Sequence, residues 1–586
     1  QEKKIFAVQG SCPIIRRLLR ARGWVERKLP STGRVGSRPE QRPGSQEWQL
    51  LEEEEDEGGD GAEHGSCLVR DQVPYFIWSS RCRAIDGRLL QQDQVLNHYS
   101  RVGAFTTKVG AWTPGGWCDR VGGVQRGLPC FSIQEGLCLN LRNLPWLDQA
   151  DPDTFFPRCY RLGAADERQA FIEDFRLTAA RSLLKVALER AGDTPAGTEQ
   201  PPKSGEGLGE VAQWVPKSHV PHPMPPTAGQ GPPLPPQLVE EALQLCEQHL
   251  GSLGHQDIDG DPPAPRMTSA DWDRFLRDYY CLVHEGSVLV LSGAQRERGR
   301  ALLQQLGEQL PQLAMEGDHN VWILKPSAMS RGRGIVCSAR LEEVLQLAGG
   351  CAGPSVPGRG WVVQKYVERL LLIFGTKFDI RQWFLVTDWN PLTVWFYRES
   401  YVRFCSRPFS LHRLDRSVPP TTAGPPPQST LLTHPRSPHA SARHLCNVSI
   451  QQRCSAARGW HPRLPPDHIW SCRQLQAYLA QVGLGGAWHQ VMVPGMKAAV
   501  VGALRSAQEL VGSRKGSFEL YGVDFVFGED CQPWLLEINT SPTMAPSSAV
   551  TRRLCARVQR DTLRVVIDRR ADPTCPTGAF ELIYKE

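Results

Sequence analysis

Apolar residues at Phe171, Phe175, Leu183, Leu184, Val186 and Leu188 recur at helical spacing and predict a helix over Phe171–Arg190. Leu238, Ala242, Leu245 and Leu250 repeat the pattern over Gln237–Leu250. Further on, short apolar runs predict strands at Val321–Lys325, from Ile335, at Trp361–Glu368 and at Thr393–Tyr397. Lys377–Val386 alternates: Lys377, Asp379 and Arg381 take one strand face, and Phe378, Ile380, Phe384 and Val386 take the other. Three charges on one face of an otherwise apolar strand predict a polar pocket. Phe518–Phe527 and Pro533–Asn539, separated by a turn at Gly528–Gln532, predict a hairpin.

The pattern breaks where burial is impossible. Residues 191–236 hold twelve of the 47 prolines and almost no aliphatic side chains, so they read as a linker. Two further tracts, Ala111–Gly136 and Pro419–Arg443, read as inserted loops. The expected division is 1–70, a basic segment with an acidic loop; 71–190, an N-terminal domain; the linker; 237–314, a helical central region; and 315–586, the largest unit.

A length of 586 residues excludes a single small module, and 40% hydrophobic with 22% charged residues excludes a wholly disordered chain. No unbroken apolar window is long enough to span a bilayer, so no membrane span is expected. The chain opens at Gln1 rather than Met, as a piece of a longer sequence would. Eighteen cysteines are scattered singly without a C-x-x-C pair, which favours a reduced, cytosolic protein. With 67 basic and 62 acidic side chains the net charge is +5, too even to call for nucleic acid. The asymmetry is local: Arg16, Arg17 and Arg20 belong to a basic N-terminal stretch suited to an acidic partner, and an acidic run lies downstream at Glu52–Glu57.

The hairpin carries the sharpest chemistry. A four-residue loop at Glu529–Gln532 would pair Gly528 with Pro533 and set Asp524 opposite Glu537, with Glu537 and Asn539 on one face. Two carboxylates and an amide oxygen then converge, as a hard cation such as Mg²⁺ requires. Upstream, Lys325 ends a strand before a loop in which Gly332 and Gly334 free backbone N–H groups for phosphate oxygens. This loop matches neither the Walker nor the dinucleotide-binding pattern.

In this order, a lysine with a glycine loop, then QKYVE, KFDIR, HLCN and an Asp followed by Glu-x-Asn, the chain resembles the ATP-grasp ligases of the tubulin–tyrosine ligase-like family. NHYSRVGAFTTK, LRNLPW, DWDRFLRDYY and PTGAFELIYK are similar to the members that place a first glycine on tubulin. The resemblance implies an α/β fold with N-terminal, central and C-terminal ATP-grasp domains, 315–586 being catalytic and 71–190 lying on the substrate side. It implies ATP contacts at Lys325, Arg331, Gly332, Gln364, Lys365, Tyr366, Val367, Lys377, Phe378, Asp379, Cys446 and Asn447. Mg²⁺ ligands would be Asp524, Glu537 and Asn539. Arg381 and Arg403 would meet the carboxylates, with Ser449 beside the substrate.

The activity implied by the resemblance is that of a ligase using ATP to join free glycine to glutamate side chains on the acidic C-terminal tails of tubulin. The reaction would run through an acyl phosphate, at cytoplasmic and ciliary microtubules. A glutamate ligase and a catalytically impaired microtubule-binding factor remain as alternatives. The family's HL-x-N-x-x-I-Q-K ends here in Gln451, Gln452 and Arg453, without its lysine, and its E-R-P reads ERL with Leu370.

Overall fold

A twelve-residue strand, Phe378–Trp389, organises the larger part of the molecule. It is buried along nearly its whole length because both of its faces are covered. Phe378, Ile380, Phe384 and Val386 enter one core, while Trp383 and Leu385 enter another. Tyr401–Phe404, Leu392–Tyr397 and Glu519–Phe527 pair with it antiparallel, and Pro533–Thr540, Ile469–Ser471 and Phe580–Lys585 complete a seven-stranded sheet. The computed structural model describes residues 4–28, 69, 71–80, 85, 90–106, 133–148, 150–192, 234–254, 267–326, 334–349, 361–411, 414, 443–451 and 461–586. The acidic run at Glu52–Glu57, most of the linker, the tract at 419–442, Arg331, Gly332, Gln452, Arg453 and the side chain of Ser449 lie outside the described residues.

A second antiparallel sheet, in the order Cys159–Arg161, Trp361–Lys365, Trp322–Pro326, Val336–Ser338, carries the expected lysine near the end of its third strand. Helices Ala165–Arg190, Gln237–Leu253, Ser269–Glu285 and Gly293–Gln309 share a core with it, in which Phe171 packs edge-on against Trp322 at 5.1 Å. The first of these helices starts six residues before the apolar repeat that predicts it. The α/β class therefore holds, and among the described residues no helix is long and apolar enough to cross a membrane.

A small parallel sheet, Val25–Glu26, Ile5–Gln9, Phe76–Ser79 and Val95–Leu96, forms the N-terminal part. Glu519 of the large sheet holds it in place. Its carboxylate meets His98 Nδ1 at 2.9 Å and accepts from the Tyr99 N–H at 3.1 Å and the Tyr521 hydroxyl at 2.9 Å. This is what the NHYSR stretch does.

Three expectations change. The tract read as a loop to Gly136 ends in a helix, Ile133–Leu141. Gly136 lies so close to the Gly103 and Ala104 carbonyls that an added Cβ would come within 2.7 Å of both. Glycine there marks close packing rather than a break. Cys138 and Cys159 form a disulfide, so the chain is not wholly reduced in this structure. The N-terminal helix Pro13–Arg20 is less bare than its charge suggests, since Arg16 and Arg20 both donate to Glu26 at 2.8 Å and Arg22 pairs with Asp568 at 2.7 Å.

Candidate functional site

The two antiparallel sheets face each other across a cavity. Ile323, Lys325, Gln364 and Lys365–Val367 line it from the smaller sheet. Lys377, Asp379, Asp524, Val526, Leu536 and Glu537 line it from the larger one, and His444–Asn447 close a side. Lys325 bridges the gap: its Nζ donates to Gln364 Oε1 at 2.7 Å and to the Leu536 carbonyl at 3.4 Å. Burial pulls the pKa of this ammonium down to about 8, with Glu537 only partly opposing the shift.

Lys377 and Tyr366 form a second polar unit with His444, a residue that opens HLCN but carries no assigned role in the sequence pattern. Lys377 Nζ donates to the Tyr366 hydroxyl at 2.7 Å, and that oxygen is 3.1 Å from His444 Nδ1. An ammonium can only donate, so the Tyr366 oxygen accepts from it and its own proton points to Nδ1. Burial and the charges of Lys377 and Arg443 lower His444 to about 3, keeping the ring neutral with its N–H on Nε2. Nε2 has no hydrogen-bond partner among the described residues.

The hairpin brings Asp524 opposite Glu537 as expected, by a different route. The strands leave the turn with Phe527, not Gly528, opposite Pro533, and an irregularity between Asp524 and Phe525 then shifts the register by one. Asn539 Nδ2 donates to Glu537 Oε1 at 2.9 Å, so these two do share a face.

Asp524 has other neighbours as well. It lies directly across from Arg381 in the sheet, as Asp379 does from Arg403. Arg381 reaches Asp524 through Nε and Nη2 at 2.5 and 3.1 Å, and Arg403 grips Asp379 through the same pair of nitrogens at 2.6 and 2.7 Å. Arg403 Nη2 also meets Asp524 at 3.0 Å, which closes a buried four-membered network. Burial alone would raise the Asp524 carboxyl, but Arg381 and Arg403 hold it well below the usual carboxylate range.

Two of the three expected metal ligands suit a divalent cation. Asn539 Oδ1 is buried without a hydrogen-bond partner among the described residues, beside the Glu537 carboxylate. An orphaned amide oxygen next to a carboxylate fits a hard cation. Asp524, expected as the third ligand, lines the same cavity and also accepts from two arginines with both of its oxygens.

Other expected contacts divide in the same way. Lys365 turns its ammonium inward to Glu368 at 2.6 Å and to the carbonyls of Glu316, Val321 and Tyr366, so its side chain is structural and only its backbone remains for a ligand. Phe378 belongs to the core, stacked on Phe527 at 6.1 Å, not to the cavity. The Asn447 carbonyl accepts from the N–H groups of Ile450 and Gln451, opening the short helix Val448–Gln451 that contains Ser449. Cys446 is buried with its sulfur 3.3 Å from that of Cys405. Beyond the hairpin strand a cleft of about 1100 Å³ opens between Arg17, Trp78 and His98 on one side and Pro542, Ser548 and Arg552 on the other.

Residues 294–573 match the tubulin-tyrosine ligase family model. Over its whole length the chain is 48% identical to tubulin monoglycylase TTLL3 of Mus musculus, covering 59% of that protein, and 45% identical to tubulin monoglycylase TTLL3 of Danio rerio, covering 69%. The chain belongs to the tubulin-tyrosine ligase family. It is also 40% identical to protein monoglycylase TTLL8 of Mus musculus, again across the full chain and 64% of the relative. It thus spans roughly three fifths to two thirds of these family members, and the cavity residues Lys325 to Glu537 all fall inside the matched family region.

Proposed function

We propose that the chain is an ATP-dependent carboxylate–amine ligase of the ATP-grasp type that adds a first glycine, through an isopeptide bond, to glutamate side chains of tubulin C-terminal tails. The observation that carries the proposal is Lys325 and Lys377 in one interlayer cavity with Glu537, to whose carboxylate Asn539, with its orphaned oxygen, is bonded. The relatives named monoglycylases give the chemistry its direction. The tubulin in two of their names favours tubulin as the acceptor, and the family resemblance extends the setting to microtubules, cytoplasm and cilium.

A carboxylate resists an amine because it is anionic and has no leaving group. Its oxygen must first take the γ-phosphoryl of ATP, which releases ADP and makes an acyl phosphate. The glycine amine then attacks the acyl carbon, the bond to the phosphate oxygen breaks, inorganic phosphate departs and the new amide nitrogen sheds its proton. Lys325 and Lys377 neutralise the phosphate oxygens as charge shifts among them. The neutral His444 offers Nε2–H to an acceptor in the same cavity. The family resemblance gives Arg381 and Arg403, both buried beside the cavity carboxylates Asp379 and Asp524, the task of orienting the substrate carboxylates. Glu537 and Asn539 would hold Mg²⁺, which supplies charge neutralisation between phosphates. The 1100 Å³ cleft, with Arg17 and Arg552 at its walls, takes the acidic tail.

Since the charged form of Lys325 is the one that binds phosphate, nucleotide affinity should be full below pH 8 and fall by about tenfold per pH unit above it. Stability moves the other way. Between 8 and the ordinary value of 10.5 the folded chain binds fewer protons than the unfolded one, so stability rises with pH in that window. Titration of a fluorescent ATP analogue on either side of pH 8 reads the first effect, and Lys325→Arg should flatten the profile. An unchanged slope in that variant removes Lys325 from this role.

The proposal as a whole is tested by phosphate release from ATP with purified tubulin and either glycine or glutamate. Release that needs both tubulin and glycine supports it. Release with glutamate alone makes the chain a glutamate ligase, and none with either makes it a non-catalytic binding factor.

A further inference from the structure

Away from the interlayer cavity, a cleft of about 370 Å³ is walled by Arg398 and Arg473 on one side and by Arg557, Arg560 and Arg564 on the other. Three of these share a helix face with Arg553. Positions 553, 557, 560 and 564 keep helical spacing along Ala549–Leu563 and the turn after it, a stripe roughly 16 Å long.

Only two carboxylates answer the five guanidinium groups among the described residues lining the cleft, and both are already engaged. Glu399 receives two bonds from Arg557 Nη1, at 3.0 and 2.9 Å. Asp561 is buried and accepts from the Tyr397 hydroxyl at 3.0 Å, the Ala579 N–H at 3.1 Å and Arg564 at 3.1 Å. Arg473 and Arg560 reach these acids only at 3.9 Å, with side chains 82% and 45% exposed, so their donors face solvent. A surplus of about three positive charges at one mouth creates a field that attracts an anion.

We propose that this cleft, continued along the helix to the exposed Arg553 outside it, is a second docking site for an acidic peptide, holding about five residues of a glutamate-rich segment in extended form. The length comes from the stripe at about 3.3 Å per residue. A peptide suits it better than a compact phosphate because the guanidinium groups are spread along a line. The occupant rests on the tail-modifying reading above: Arg398 of the cleft is five residues from Arg403 of the buried network in the sequence, so their Cα atoms lie within roughly 17 Å as a limit of chain geometry.

The test is fluorescence anisotropy of a labelled glutamate decapeptide with the full chain, beside a glutamine decapeptide and a single-stranded RNA oligonucleotide. Arg473→Ala/Arg560→Ala should weaken glutamate-peptide binding by about tenfold and flatten its salt dependence. Binding of the fluorescent ATP analogue by the same variant shows that it is folded. Lys325→Ala should bind the peptide as the wild type does, so docking is read even if no amino acid is ever transferred. Equal peptide affinity in the wild type and the double variant overturns the proposal. So does RNA bound through these arginines more tightly than the peptide.

Discussion

Glu537→Gln is expected to reduce ATP-dependent amino-acid transfer by at least about a hundredfold while leaving the fold in place. The substitution keeps the volume, and the new amide oxygen can still accept from Asn539 Nδ2, now made at 2.9 Å. What it removes is the negative charge beside the orphaned Asn539 oxygen. Transfer rates measured against Mg²⁺ concentration, with chemical denaturation as the control, check this. Wild-type turnover at limiting Mg²⁺ would take Glu537 out of the site.

The largest loss of stability is expected at Arg403. Arg403→Ala removes a guanidinium that grips Asp379 at 2.6 and 2.7 Å and touches Asp524 at 3.0 Å, all of them buried. Two carboxylates are left with Arg381 alone, and breaking a buried pair from one side costs about 3–5 kcal/mol. The effect should appear as an earlier urea midpoint for the unit containing the large sheet. It carries a pH signature as well. Asp524 is held below its ordinary value of 3.8, so its contribution is present above that pH and is lost as the pH falls toward the depressed value. With Arg403 gone, less remains to lose, and the variant's acid-dependent drop should be shallower than that of the wild type. Equal midpoints would mean that the network contributes nothing net.

The alternation in KFDIR and the two runs of the hairpin identify the central strand and its partners because a period of two is a local property. Asp524 opposite Glu537 is legible for the same reason. The count that reaches it uses a tight turn, however, and the molecule uses a longer turn with a register shift, which a period of two cannot register. Pairings between distant segments are harder to read. The opposition of Asp379 with Arg403 and of Asp524 with Arg381 depends on which strands lie either side of Phe378–Trp389. The sequence alone places these residues on faces, not against each other. Glu26 beside Arg16 and Arg20 is similar: a basic run looks free until the fold returns an acid to it. His444 is visible in HLCN, but its role depends on Tyr366 and Lys377, which come from elsewhere in the two sheets.

The proposed reaction joins glycine singly to tail glutamates at the expense of ATP. It is read by mass spectrometry of tubulin tail peptides after incubation with the purified chain, ATP, Mg²⁺ and isotopically labelled glycine. The expected result is a mass increase of one glycine residue, with fragment ions placing it on a glutamate side chain, and no increase when ATP is omitted. Tails unmodified by glycine, or carrying added glutamate instead, would contradict it.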